Sequence, residues 1–221
     1  LERSDIGSLG WRSPQSIHLL AEAERRAFAR RNTLLGDPAF VKIPAASFTS
    51  ADTAAALLAE IGTTSSGSGG GSATKEPRHT THFSVVDAHG NAVAITTTLN
   101  ESYGAAFTVP GGQFLLNDEM DDFTGKVGAV NAMGLVQGEA NAIAPGKRML
   151  SSMTPTIVLD SSGAPLLVTG AAGGAYIITA VAHQIVSLFD YHRSLGEAMA
   201  VPQFHHQDVP DSLLVEQVPW A

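Results

Sequence analysis

Cysteine is absent from this sequence of 221 residues, and cationic side chains are scarce. Without cysteine the chain has no disulfide scaffold, no thiolate metal site and no cysteine nucleophile. Lys and Arg total 13 against 21 Asp and Glu, which gives a formal net charge of −8. Because nucleic-acid affinity depends mostly on Lys and Arg that neutralise phosphates, this balance argues against a nucleic-acid partner. The apolar runs fall short of the roughly 18 residues that a membrane span requires, so the sequence predicts no span.

Hydrophobic residues make up 44% of the chain, enough for a sizeable core, and composition divides the chain near residue 62. The first part, residues 1–61, is predicted to be helical. Ser13 and Pro14 form a helix start, and apolar residues then recur at helical spacing as far as Phe28. A cap-like sequence at 49–52 predicts a second helix. The charged side chains of the first helix are expected on its solvent-facing sides, namely Glu22, Arg25, Arg26 and Arg30.

Residues 62–79 include a tract in which glycine alternates with serine. Such a composition cannot bury enough apolar surface to fold. The tract is therefore either a linker between domains or a segment that must be cut or moved aside.

Strand patterns replace helical ones after this tract. Two hairpins are predicted, over 83–98 and 157–168, followed by a buried helix over 176–191. A capping box that opens at Ser194 predicts one more helix. Hairpins packed against helices favour a layered α+β domain.

Threonine hydroxyls are concentrated at the open end of the first predicted hairpin, at 80–81 and 96–98. Any single Thr is explained by its preference for strands. A Thr nucleophile requires a base, and the attractive base is the α-amino group of the same residue. A cut between His79 and Thr80 would expose that amine, whose ordinary pKa is about 7.7–8.0. This would explain why a glycine-serine tract precedes a strand that begins with Thr.

Three further segments could contribute to chemistry. The acidic run at 117–123 is a solvated turn or a site for a substrate ammonium, since it lacks the spacing of an EF-hand calcium loop. The glycine-rich loop at 170–174 offers backbone N–H groups that suit an oxyanion hole, and it lacks the nucleotide-binding patterns. His205 and His206 are adjacent on a predicted strand and point to opposite faces, which favours a structural role over a shared metal ion.

Taken together, several ordered motifs resemble the γ-glutamyltransferase (γ-glutamyltranspeptidase) family of N-terminal-nucleophile hydrolases. The resemblance extends upstream into 21–24 and 35–41, and so covers nearly the whole chain. The motifs that carry it are Thr80 to Asp87, Thr98 to Asn100, Asn117 to Phe123, Ser151 to Thr156, Thr169 to Gly174 and Pro202 to Gln207.

The resemblance implies a precursor that cleaves itself between His79 and Thr80 and forms one αββα sandwich from two subunits. On this basis residues 1–61 are the helical end of the large subunit and 62–79 the pre-cleavage segment. Residues 80–221 are then the catalytic region of the small subunit, expected to be truncated, so that the chain is a partial domain.

The same resemblance assigns roles to particular residues. Thr80 is the nucleophile and its amine the base, Thr98 hydrogen-bonds the Thr80 hydroxyl, and the N–H groups of Gly173 and Gly174 stabilise the oxyanion. The α-amino group of the substrate is held by Asn100, Glu119 and Asp122, and its α-carboxylate by Ser151 and Ser152. No metal and no cofactor are implied. The family also pairs the carboxylate with an Arg from early in the large subunit, for which neither Arg12 nor Arg30 is a match.

The implied reaction transfers a γ-glutamyl group from a glutathione-like compound to water, an amino acid or a peptide, through a γ-glutamyl-Thr ester. Met133 lies where some members carry an aromatic gate, which leaves the choice of acceptor open. The implied partner is the remainder of the large subunit, and the implied location is periplasmic or extracellular. Two alternatives stay open: a cephalosporin (glutaryl) acylase, and a homologue that never matures and serves as a binding or structural domain.

Overall fold

The computed structural model describes residues 1–67 and 79–216. Most of the glycine-serine tract predicted between 62 and 79 lies outside these residues. The described part contains five α-helices: α1 (Pro14–Leu34), α2 (Ala45–Thr49), α3 (Ala51–Ala59), α4 (Tyr176–Phe189) and α5 (Leu195–Ala200). Its six strands are β1 (Thr80–Val86), β2 (Ala92–Thr98), β3 (Thr156–Leu159), β4 (Pro165–Thr169), β5 (Phe204–His205) and β6 (Leu214–Val215). The fold is thus mixed helix and sheet, and none of its described helices is both long and apolar enough to cross a bilayer.

Side-chain caps mark the starts of three of the five described α-helices. The Ser13 side chain accepts a hydrogen bond from the backbone N–H of Ser16, and Pro14 occupies the first position of α1. Ser50 caps α3 in the same way. A reciprocal capping box of Ser194 and Glu197 opens α5.

The position of Glu22 differs from the expectation. The side chain was predicted to face solvent, yet Glu22 is only 2% exposed. Its carboxylate accepts hydrogen bonds from Arg26, at 2.6 Å, and from Ser66. Ser66 lies 44 residues away along the chain, so helical periodicity gives no sign of this contact.

Three antiparallel hairpins supply the strands of the described part. In the first, Thr80 pairs with Thr98, and the Asp87 carboxylate accepts N–H bonds from the turn that joins β1 to β2. In the second, Thr156 pairs with Thr169. These two hairpins pack on each other. In the third, β5 falls where a strand was predicted at His205, whereas β6 and its pairing with β5 were not predicted from the sequence.

Two apolar clusters meet on α1. One joins α1 to α4 and β5 through Ile6, Leu19, Leu20, Val186 and Phe204. The other contains Phe28, Met133, Leu135 and Ala175, and lies beside the start of α4. Helix α1 therefore contributes to both apolar clusters.

Polar contacts also join α1 to segments much later in the chain. The buried Glu24 carboxylate lies 2.6 Å from His183 Nε2 and accepts the backbone N–H of His206 at 3.0 Å. Arg25 forms an ion pair with Asp211 at 2.5 Å. Buried charges are tolerated only when they are paired and hydrogen-bonded, so these contacts fix the position of α1.

Phe28→Ala should destabilise the protein by about 3–5 kcal/mol, because it leaves a cavity in the second apolar cluster. The measurement is the free energy of unfolding in urea. Phe107→Ala is the matched control: that ring is 53% exposed, and its loss should change stability by no more than about 0.5 kcal/mol. Equal effects of the two substitutions would contradict the packing described.

Candidate active site

One cavity brings together segments that are far apart in the sequence. The start of β1, the end of β2, the acidic turn, the serine pair and the loop before α4 all reach it. Eight of the nine residues predicted for catalysis and substrate binding line it; Gly173 does not. The lining consists of Thr80, Thr98, Asn100, Glu119, Asp122, Met133, Ser151, Ser152, Met153, Gly174 and Ile177.

A pair of threonine hydroxyls lies at one end of the cavity. The register of β1 and β2 sets Thr80 opposite Thr98, and their Oγ1 atoms are 3.2 Å apart. Thr98 Oγ1 also accepts the backbone N–H of Asn100 at 2.9 Å. The Thr80 hydroxyl is the donor to Thr98 Oγ1, so Thr98 Oγ1 accepts two hydrogen bonds, one from each neighbour, and these orient the Thr80 side chain. Asn100 has a positive φ of 74°, a conformation that asparagine tolerates better than most residues.

Two carboxyl groups face the cavity from the 3₁₀ turn Glu119–Asp122. Burial raises the pKa of Glu119 to about 8, helped by its hydrogen bond to Asp122 and by the charges of Asp122 and Asp118. Burial also raises the pKa of Asp122. Two hydrogen-bonded carboxyl groups cannot both ionise cheaply, so the pair holds a shared proton near neutral pH when the cavity is empty. A cation placed between them would take the place of that proton.

Two adjacent serines, Ser151 and Ser152, also line the cavity. Ser151 Oγ accepts the backbone N–H of Met153 at 3.0 Å, and Ser152 Oγ accepts a hydrogen bond from Arg31 Nη2 at 2.9 Å. Neither hydroxyl donates a hydrogen bond to another of the described residues. Both therefore have an O–H left to donate, which suits a ligand carboxylate.

The loop between β4 and α4 completes the cavity. Gly173 and Gly174 both have positive φ, 124° and 57°, which only glycine adopts at low cost. Gly174 lines the cavity at the N-terminal end of α4, where free N–H groups favour negative charge. Gly173 lies just behind it, and its carbonyl accepts the N–H of Tyr176 at 3.1 Å.

The remaining candidates lie outside the cavity. His79 precedes β1, and its Nε2 lies 2.9 Å from the Ser102 hydroxyl. His205 stacks on Tyr176 and contacts Thr179, whereas His206 faces Asp211. The two adjacent imidazoles thus face different neighbours and serve the packing of the fold. No group of three potential metal ligands occurs within residues 1–67 and 79–216.

Arg31 is the residue of this region that the sequence analysis missed. Its guanidinium is buried directly behind the serine pair. The available signal was the spacing of Glu24, Phe28 and Arg31, which places all three on one face of α1. That face is buried, so its charged members were candidates for internal contacts.

Comparison with known proteins identifies the family. The model of the Gamma-glutamyltranspeptidase family matches residues 1–219. The chain belongs to the gamma-glutamyltranspeptidase family. A glutathione hydrolase proenzyme from Pseudomonas sp. strain A14 is 46% identical over 220 residues, which are 98% of this chain and 38% of that protein. An acylase ACY 1 proenzyme from Pseudomonas sp. strain SE83 is 38% identical over 92% of this chain and 35% of that protein.

A solved structure of a gamma-glutamyltranspeptidase also resembles this chain. A mutant of Helicobacter pylori gamma-glutamyltranspeptidase matches with a TM-score of 0.60 and 51% identity, over 62% of this chain and 73% of the solved one. The chain spans a little over a third of the length of the two curated relatives.

Glu119→Gln should flatten the pH dependence of stability. The folded protein holds the Glu119 proton more tightly than the unfolded chain does, because its pKa rises from 4.5 to about 8. The resulting stabilisation is full below about pH 4.5 and is lost as the pH rises toward about 8. The substituted amide cannot lose a proton, so the free energy of unfolding in urea should fall less over this range in the variant.

Glu139→Gln is the matched control, since that side chain is exposed outside the cavity. It should reproduce the wild-type profile. Parallel profiles of wild type and Glu119→Gln would contradict the shared proton.

Proposed function

We propose that this chain carries the acyl-transfer centre of a γ-glutamyltransferase. The enzyme takes the γ-glutamyl group from a glutathione-like compound and gives it to water, an amino acid or a peptide. The observation that carries the proposal is the meeting of three groups in one cavity: the Thr80 hydroxyl, the acidic pair and the serine pair. An α-amino acid head group needs a site for an ammonium and a site for a carboxylate, and the cavity offers both.

The chemistry follows from these positions. The freed α-amino group of Thr80 takes the hydroxyl proton as Oγ1 attacks the γ-carbonyl carbon of the substrate. Family resemblance assigns the tetrahedral oxyanion to the N–H groups of Gly173 and Gly174, of which Gly174 lines the cavity and Gly173 is the residue before it. Breaking the C–N bond transfers the proton to the leaving amine and leaves an ester on Thr80. Water or an acceptor amine then attacks the ester and restores the hydroxyl.

The amine of Thr80 becomes available through a cut between His79 and Thr80. Residues 1–61 then end the large subunit, 62–79 form the pre-cleavage segment, and 80–221 belong to the small subunit. Two observations support this division: the relatives are proenzymes, and the glycine-serine tract directly precedes a strand that begins with Thr. By family resemblance the mature enzyme acts in the periplasm or outside the cell, which fractionation of cells making the full precursor would test.

The exposed face of the first hairpin supports an αββα sandwich completed by the remainder of the precursor. Phe83, Val85, Val93 and Ile95 lie on one face of the hairpin, because Phe83 pairs with Ile95 and Val85 with Val93. All four are at least 39% exposed. A contiguous apolar face of this kind suits packing against a second sheet.

The glutaryl acylase remains the second candidate, because one relative is an acylase proenzyme. A glutaryl group has no α-ammonium, so it would leave the Asn100, Glu119 and Asp122 side of the cavity without a partner. A homologue that never matures is the third candidate, and it would leave the junction before Thr80 intact.

Thr80→Ala should abolish both self-cleavage and acyl transfer, because it removes the only hydroxyl proposed as nucleophile. Thr80→Ser, which keeps a hydroxyl, should retain both. Thr98→Ala should slow both steps roughly 3- to 10-fold through loss of one hydrogen bond while the protein stays folded. Intact mass and N-terminal sequencing of the full-length product report the cut. Processing of Thr80→Ala at the wild-type rate would refute the assignment, and persistence of uncut wild type would favour the non-maturing homologue.

The mature enzyme should prefer a γ-glutamyl anilide to a glutaryl anilide roughly 10- to 100-fold in kcat/KM. The reason is that only the former offers an ammonium for charge-assisted hydrogen bonds. Release of the aniline measures both rates. A preference for the glutaryl compound would replace the transferase proposal with the acylase.

A further inference from the structure

Arg31 is a buried cation in the last turn of α1. It is 7% exposed, and its guanidinium lies 5.9 Å from the centre of the Phe28 ring. Nη1 donates to the Asn32 side chain at 2.8 Å. Nη2 donates to the Ser151 carbonyl at 3.2 Å and to Ser152 Oγ at 2.9 Å. Three hydrogen bonds thus hold the guanidinium directly behind the serine pair.

The charge of Arg31 has no direct counter-ion. Burial lowers its pKa to about 10, so the group stays protonated at neutral pH. Within the described residues no carboxylate lies within 4 Å of it, and only the longer-range attraction of Asp122 opposes the effect of burial. An unpaired buried charge is costly, and a ligand that brings a negative charge close to it would offset part of that cost.

The hydrogen bond from Arg31 also determines where the Ser152 hydroxyl can donate its proton. Because Ser152 Oγ accepts from the guanidinium, its own proton points elsewhere, and the cavity is where that hydroxyl is exposed to a ligand. A donor that receives a hydrogen bond from a cation is a stronger donor in turn. The bond to the Ser151 carbonyl fixes the backbone that carries both serines.

We propose that Arg31 is a specificity-determining positioning residue: it orients the Ser151–Ser152 pair toward the α-carboxylate of the γ-glutamyl group and adds positive charge behind that pair, in addition to the Arg that family resemblance places early in the large subunit. This inference rests on the proposed function. Arg31 acts through the serines rather than by contact with the substrate. It also lies within electrostatic reach of Asp122, so one cation serves both sides of the head-group site.

The test uses the matured full-length protein and two substrates: a γ-glutamyl anilide, and the same anilide with its α-carboxylate converted to a carboxamide. Arg31→Gln should raise KM for the carboxylate substrate roughly 10- to 100-fold, with a much smaller change in kcat. The carboxamide substrate should lose little, because it brings no charge to be balanced. Arg31→Lys, which keeps the charge but loses the planar fork, should fall between wild type and Arg31→Gln.

Arg30→Gln is the matched control. Arg30 is the neighbouring arginine of α1, but its guanidinium contacts Ser47 and Phe48, away from the cavity. Both substrates should behave as with wild type. A double-mutant cycle with Ser152→Ala should show that the two losses are not additive, as expected for groups joined by one hydrogen bond.

Equal losses on both substrates, or no loss on either, would overturn the role of Arg31. If Arg31→Gln does not fold, Arg31→Lys carries the same comparison, and an equal effect on both substrates has the same meaning. Failure of the wild-type protein to release aniline from the γ-glutamyl compound would instead refute the proposed function. The two failures are therefore distinguishable.

Discussion

Seven residue pairs join β1 to β2, and the pair at the open end sets Thr80 against Thr98. Side chains alternate between the two faces of a strand, so a slip of one residue would turn Thr80 away from its partner and from the cavity. The tight turn stabilised by Asp87 fixes this register from the opposite end of the hairpin. This register therefore places the Thr80 hydroxyl in the same cavity as the other lining residues.

Groups of opposite charge surround the cavity. Glu119 and Asp122 line it, and Arg31 lies behind Ser151 and Ser152, within electrostatic reach of Asp122. A ligand with one positive and one negative group can satisfy both sides at once, whereas a ligand with a single charge leaves one side uncompensated. Such a cavity favours ligands that carry both charges, as the proposed γ-glutamyl head group does.

Local and distant interactions explain which features could be predicted. Caps such as Ser13 and Ser194 act within one helical turn, so the sequence locates the helix starts. The first two hairpins carry strand patterns and turns of their own, whereas β5 and β6 have two residues each and show no periodicity. The motifs identify most of the cavity through family resemblance. Arg31 was missed because its role depends on a partner 120 residues away, which no local pattern encodes.

The contacts of α1 have a consequence for a chain that is cut ahead of Thr80. Glu24 with His183, Arg25 with Asp211, and Arg31 with Ser152 all join a residue before that junction to one after it. Severing one peptide bond removes none of them. The two fragments would remain held together as one particle, with Arg31 in one fragment and the serine hydroxyls behind which it lies in the other. Separating the fragments would thus remove the cation from that side of the cavity and leave Thr80 itself unchanged.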